Sequence, residues 1–235
     1  MNEPSGKDAA FEISIGLAFI GGYADASGYF LARTLTGHLT GNCVLAAVSA
    51  ANRDWYLTLD RVLAVIVFLA GILLNLIVNR LFAVRLRRYS LVIAMLMETM
   101  LFLGACLLLI NQATHELFIV CMCLALGIQN GALNKTKGIS VHSTYMTGMV
   151  TTLIEKSFDH YSSNRSFKKD PSKDSTPLAI QILASMWTSF IFGAVTGAVV
   201  VSLFHGLGLL GIVLTLNVLI VAEMKKKSSI SGDLL

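Results

Sequence analysis

The stretch Phe11–Leu31 reads FEISIGLAFIGGYADASGYFL, a run long enough to cross a bilayer that nonetheless carries Asp25 in its second half. A carboxylate in hydrocarbon costs roughly 2.5–3.5 kcal/mol on insertion scales, so one is rarely kept there without a partner or a task. Asp25 therefore marks a polar site inside a membrane protein.

Composition agrees. The 235 residues are 55% hydrophobic and 14% charged, with a mean hydropathy of +0.71, whereas soluble domains run nearer about 45–50% apolar and about 25% charged. The formal net charge of +4 is modest and confined to loops, which gives no support to a nucleic-acid partner. The mixed-charge start, with Glu3, Lys7, Asp8 and Glu12, does not match a cleavable signal. Cys43, Cys106, Cys121 and Cys123 all lie in apolar segments, and a C-x-C spacing on a helix sends its thiols to different faces. They read as packing rather than as a metal or redox pair. No H-E-x-x-H, phosphate loop, G-x-S-x-G or Cys-His metal spacing stands out. The expectation is a protein that is not an enzyme and uses no metal or cofactor.

Working outward from Asp25, six long apolar segments fall at about 11–31, 59–82, 90–110, 115–135, 178–203 and 206–222. Two short ones, about 39–52 and 143–155, follow the first and fourth. A helix of that length reaches only about 20 Å at 1.5 Å per residue, too short for a core of roughly 30 Å. They read as half-helices or re-entrant segments. Basic residues test the count: Arg80, Arg85, Arg87 and Arg88; then Lys156, Arg165, Lys168, Lys169 and Lys173; then Lys225, Lys226 and Lys227. With six spans and a cytoplasmic N-terminus, all three clusters fall inside, as the positive-inside rule requires. Counting eight spans would export at least one. The fold expected is an all-α membrane protein, a single domain over 1–235 with both termini cytoplasmic.

The chain also repeats itself. Gly22-Tyr-Ala-Asp25-Ala26 corresponds to Gly127-Ile-Gln-Asn130-Gly131, Thr40-Gly41-Asn42 to Thr147-Gly148-Met149, and Phe68-x-x-Gly71 to Phe190-x-x-Gly193. Repeat one covers about 11–110 and repeat two about 115–222. Each holds three spans, an odd number, so the repeats must be inverted relative to each other. Inverted repeats with interrupted helices are a pattern of secondary transporters and some channels. The free N–H groups of a half-helix attract anions or polar solutes, and Thr-Gly supplies a hydroxyl with a residue that permits close backbone approach.

The motifs G-x-x-D-A, T-G-N, G-x-Q-N and V-x-x-T-x-x-T-G, at Gly22, Thr40, Gly127 and Val141, resemble those of the YoaK family, domain of unknown function 1275. The resemblance covers nearly the whole chain. It implies a small polytopic protein of the bacterial inner membrane and carries no established substrate or reaction. Met149, where a small polar residue is more typical, and Gly131, where Ala is expected, depart from the pattern.

Asp25, Thr40, Gly41, Asn42, Asn130, Thr147 and Gly148 are the candidate solute-binding residues, expected to converge in one cavity. Glu98, near the centre of the third long segment, joins Asp25 as a candidate proton-coupling group. His38 and His142 flank the short segments and are candidates for gating or proton relay. Asn75, Asn79 and Asn217 read as stitches between helices. Gly193 and Gly197 read as a packing face, Met95, Met97 and Met100 as packing, and Trp55 and Tyr56 as interfacial anchors. The function expected is movement of a small polar or anionic solute, proton-coupled, by a secondary transporter, with a passive channel or an accessory membrane protein as alternatives. Partners are the lipid bilayer, that solute and, optionally, further copies in a homo-oligomer.

Overall fold

Apolar segments in lipid must satisfy their own backbone hydrogen bonds, and a helix does so within one segment. The computed structural model describes residues 6–81, 89–111, 114–132, 135–136, 139–140, 146–163 and 176–232. It contains eight α-helices among the described residues: α1 Gly6–Ala32, α2 Leu39–Ala51, α3 Trp55–Leu81, α4 Ser90–Ile110, α5 His115–Ala132, α6 Met146–Ser163, α7 Thr176–Phe204 and α8 Leu210–Gly232. A 3₁₀ turn, His205–Leu209, joins α7 to α8. After α5, β1 (Lys135–Thr136) pairs antiparallel with β2 (Ile139–Ser140).

The helix ends have local causes. Arg33, Arg53 and His205 have left-handed φ of 50°, 60° and 49° and follow α1, α2 and α7, the conformation in which helices commonly stop. After α2 the amide of Asp54 reaches back to the Ser49 carbonyl at 2.9 Å. Pro177 sits in the first turn of α7, where its missing N–H breaks no helical bond.

Four stretches among the described residues are long and apolar enough to cross a bilayer: Trp55–Leu81, Ser90–Ile110, His115–Ala132 and Pro177–Lys226, the last holding both α7 and α8. Their outward faces are apolar; Leu59, Leu73, Phe192, Leu203 and Leu214 are exposed. This is the surface a lipid solvent favours. Trp55 and Tyr56 are also exposed, at the start of α3. α1, the first long segment of the sequence reading, is not among the four by length and composition. Ser14, Tyr23, Asp25 and Ser27 lower its apolarity, and all four are buried against neighbouring helices. α1 is surrounded by protein more than by lipid. The second short segment also differs. α6 has 18 residues, against 13 in α2, and ends in the exposed Phe158, Asp159, His160 and Tyr161. Its expected start, 143–145, lies outside the described residues.

The helices pair in a repeating pattern. α1 packs chiefly on α7, and α3 on α5; α2 lies on α3, and α6 on α7; α4 lies on α5, and α8 on α1; α4 also meets α8, and α1 meets α5. Exchanging α1–α4 for α5–α8 maps these pairs onto themselves. Each main crossing joins a helix of the first half to one of the second.

The repeated motifs make those crossings. A methyl group added at Gly22 would lie 2.0 Å from the Phe190 carbonyl oxygen, and one at Gly193 would lie 2.0 Å from that of Phe19. At the other crossing, a methyl on Gly127 would lie 2.3 Å from the Phe68 carbonyl oxygen, and one on Gly71 would lie 2.6 Å from that of Leu124. Backbone touches backbone at both places, and only glycine leaves room for it. Gly131 has its own reason: a methyl there would sit 3.1 Å from the amide nitrogen of buried Asn75. At the other crossing Gly197 lies against Tyr23. Asn217, by contrast, is exposed and bonds the Val213 carbonyl of its own helix at 2.7 Å, so it stitches nothing to α8.

Overpacking of this kind costs about 1–3 kcal/mol or more. Gly22→Ala and Gly127→Ala are expected to lower the thermal unfolding temperature of the detergent-purified protein markedly. Gly104→Ala, whose methyl would meet nothing closer than Cys121 Sγ at 3.9 Å, should leave it nearly unchanged. Equal stability of all three would show that the crossings tolerate a side chain.

Candidate functional site

Asp25 lies one helical turn after Gly22, so the α1–α7 crossing fixes its position. It is 5% exposed, and the loop between α1 and α2 folds back to meet it. Its Oδ1 accepts hydrogen bonds from the backbone amides of Thr36 at 2.8 Å and Gly37 at 2.9 Å. Its Oδ2 pairs with Nδ1 of His38. Thr36 Oγ1 donates to the Ala24 carbonyl at 3.1 Å, which holds the loop on α1. Gly28 leaves room for it, since a methyl there would lie 2.3 Å from Thr36 Cγ2. Asn42 braces the same loop from α2: its Oδ1 accepts from the Leu35 amide at 3.0 Å, and its Nδ2 donates to the Leu35 carbonyl.

A buried charge is tolerable when paired and hydrogen-bonded, and Asp25 has both. The His38 pKa is raised, first by the hydrogen bond to Asp25, with burial opposing and the carboxylate's charge adding to the rise.

The sequence-derived candidates divide between two spaces. Thr40, Asn130 and Thr147 line one cavity of about 480 Å³ together with His38, Leu39, Phe68 and Met146. Leu39 and Thr40 open α2, and Met146 and Thr147 open α6. Two helix N-termini from different halves therefore meet at one cavity. His38, just before α2, gives it no side-chain cap. Asp25 does not line this space. It lines a neighbouring cavity of about 390 Å³ between α1 and α7, with Gly22, Ala26, Tyr29 and Phe190. Gly41, Asn42 and Gly148 line neither, and Asn42 is only 2% exposed. The expected single cavity is thus a pair, because loop amides and an imidazole engage the Asp25 carboxylate. Glu98 is 1% exposed on α4, with Oε2 unpartnered among the described residues, and lines neither cavity. His142 lies outside the described residues.

The sequence reading passed over one polar cluster. Asp60 and Arg61, both buried, sit near the start of α3. Arg61 donates to the carbonyls of Leu45 at 2.6 Å and Arg33 at 3.3 Å, fastening α2 and the end of α1 to α3. Asp60 Oδ2 lies 3.4 Å from His115 Nε2 at the start of α5. The signal was there: adjacent opposite charges inside an apolar segment.

The fold and these buried polar contacts define an integral membrane protein of the all-α class. Residues 13–222 match the family described as "Protein of unknown function (DUF1275)", and the chain belongs to it. No curated protein and no solved structure matches the chain.

Removing one partner of a buried pair costs about 3–5 kcal/mol. Asp25→Ala, which also strands two amides, is expected to destabilise the purified protein by about that much. The His38 contribution has a pH signature. Its folded-state pKa is raised, so the stabilisation is fully present below the usual imidazole value and disappears as pH rises through the raised one. The stability gap between the wild type and His38→Ala should therefore shrink from mildly acidic to alkaline pH. A gap that widens or stays constant would contradict the pairing.

Proposed function

We propose that the protein is a small secondary transporter of the bacterial inner membrane that moves a small polar or anionic solute, coupled to protons. The observation that carries this reading is the cavity of about 480 Å³ where the first residues of α2 and α6 meet. Each helix N-terminus carries roughly +0.5 of an elementary charge on its free N–H groups, and Thr40 and Thr147 add hydroxyls. Phe68, Leu39 and Met146 supply apolar walls. Such a site suits a compact anion or polar group over a cation.

The architecture of this reading is six spans, α1, α3, α4, α5, α7 and α8, in two inverted repeats, with α2 and α6 entering without crossing and both termini cytoplasmic. Three observations support it: the exchange pattern of helix pairs, the matching glycine–carbonyl contacts at both crossings, and basic residues that fall on one side under a six-span count. Reporter fusions after Asn52 and Asn111 are expected to read extracytoplasmic, and fusions after Tyr89 and Ser163 cytoplasmic. A cytoplasmic signal after Asn111 would overturn the count.

Proton coupling rests on Asp25, which shares its Oδ2 with His38 beside the cavity. Glu98, outside that cavity, is the second carboxyl to test. The solute reading predicts that some members of a panel of phosphate, sulfate, formate, acetate and neutral polyols stabilise the purified protein thermally. A ligand at a hundredfold excess over its Kd adds about 2.7 kcal/mol. Thr40→Val with Thr147→Val should abolish the gain while leaving the unliganded melting temperature close to wild type. Equal stabilisation of the double variant would place the solute elsewhere. With a stabilising solute identified, Asp25→Asn proteoliposomes should lose accumulation driven by a pH difference. If Asp25→Asn and Glu98→Gln both still accumulate it, coupling through these carboxyls is excluded.

A further inference from the structure

His38 borders both cavities: the larger one with Thr40, Asn130 and Thr147, and the smaller one with Asp25, Ala26 and Phe190. Among the described residues no other lines both. Its ring is fixed on two sides, by the pairing of Nδ1 with Asp25 Oδ2 and by edge-on contact with Phe190, whose ring centroid lies 5.8 Å away. One side chain on a loop thus forms the wall between two spaces, and two non-covalent contacts hold it there.

The two spaces occupy corresponding places. Exchange of the halves maps Asp25 onto Asn130 and Phe190 onto Phe68. Asp25 and Phe190 line the smaller cavity at the α1–α7 crossing, while Asn130 and Phe68 line the larger one at the α3–α5 crossing. In an inverted repeat, corresponding cavities open towards opposite faces of the membrane. We propose that His38 is the gate between two access routes, latched shut by Asp25, and that its displacement joins the routes for the solute. The proposal rests on the inverted-repeat transporter reading and gives that site its barrier. It also accounts for the asymmetry of the repeat: the half with the carboxylate has the latch, and the half with Asn130 has the larger cavity.

A gate of this type needs a ring able to leave. His38 is about 30% exposed at its side chain, while Asp25 is about 7% exposed, so the imidazole has somewhere to swing and the carboxylate stays. Leu35 and Leu39 flank the loop on either side of it, one in each cavity wall.

The test needs no known solute. In full-length protein with Cys43→Ser and Cys121→Ser, leaving only buried Cys106 and Cys123, single reporters Ala26→Cys and Thr147→Cys are placed in the two cavities. A membrane-impermeant, positively charged methanethiosulfonate is applied to right-side-out and inside-out vesicles. With His38 present, each reporter should react from one face only, and the two faces should be opposite. His38→Ala should abolish that sidedness, so that each reporter reacts from both faces. His38→Gln, which retains a donor for Asp25, should restore it. Reaction of both reporters from the same face, or unchanged sidedness in His38→Ala, would overturn the gate. If His38→Ala does not accumulate in membranes, the sidedness with His38 present and the His38→Gln result decide. The gate can stand while the anion panel fails, which would refute only the solute class.

Discussion

Everything in this protein hangs on backbone-to-backbone contact at two helix crossings. Gly22 with Gly193, and Gly127 with Gly71, let α1 meet α7 and α5 meet α3 closely enough that carbonyl oxygens lie where side chains would otherwise be. In lipid there is little hydrophobic gain in bringing two apolar helices together, so association depends on close packing and polar contacts. The crossings supply the first. Because each joins a helix of one half to a helix of the other, the halves are interleaved and neither has its main packing partner within itself.

That arrangement decides where polarity can go. Asp25 and Asn130 each lie one helical turn past a crossing glycine, so the polar residues of both halves are carried into the interior. α1 shows the consequence: its Ser14, Tyr23, Asp25 and Ser27 are covered by protein. Its polar contacts reach other elements. Tyr23 Oη donates to the Gly208 carbonyl at 2.7 Å, and Gln129 Nε2 on α5 donates to the Leu17 carbonyl at 2.8 Å. Arg61 plays the same part at the start of α3, where its guanidinium donates to the carbonyls of Leu45 and Arg33.

The two halves differ in detail around a common pattern of helix pairs. One crossing sets large Tyr23 against small Gly197, and the other sets Asn75 against small Gly131. In each case bulk on one helix is matched by its absence on the partner. Asp25 binds a loop and an imidazole; Asn130, uncharged, faces the cavity where two helix N-termini meet. Met149, in the place corresponding to Asn42, is 4% exposed and belongs to the apolar core rather than to a loop brace.

Most helix positions, the shortness of α2 and the repeated motifs that hold Gly22, Gly71, Gly127 and Gly193 were legible in the sequence because they follow from hydrophobic runs and repeated local spacing. How far α1 is covered by protein was not legible, since burial by neighbours and burial by lipid look alike in an apolar run. That Asp25 and its companions form a polar site was legible; how they divide was not. The carboxylate's main partners are the amides of Thr36 and Gly37, and backbone N–H groups have no residue identity to read. Whether Asn42 lines a cavity or braces a loop, and whether His38 stands between two spaces or at a surface, depends on how a six-residue loop folds back on a helix. Long-range packing sets that, and only the tertiary structure decided it.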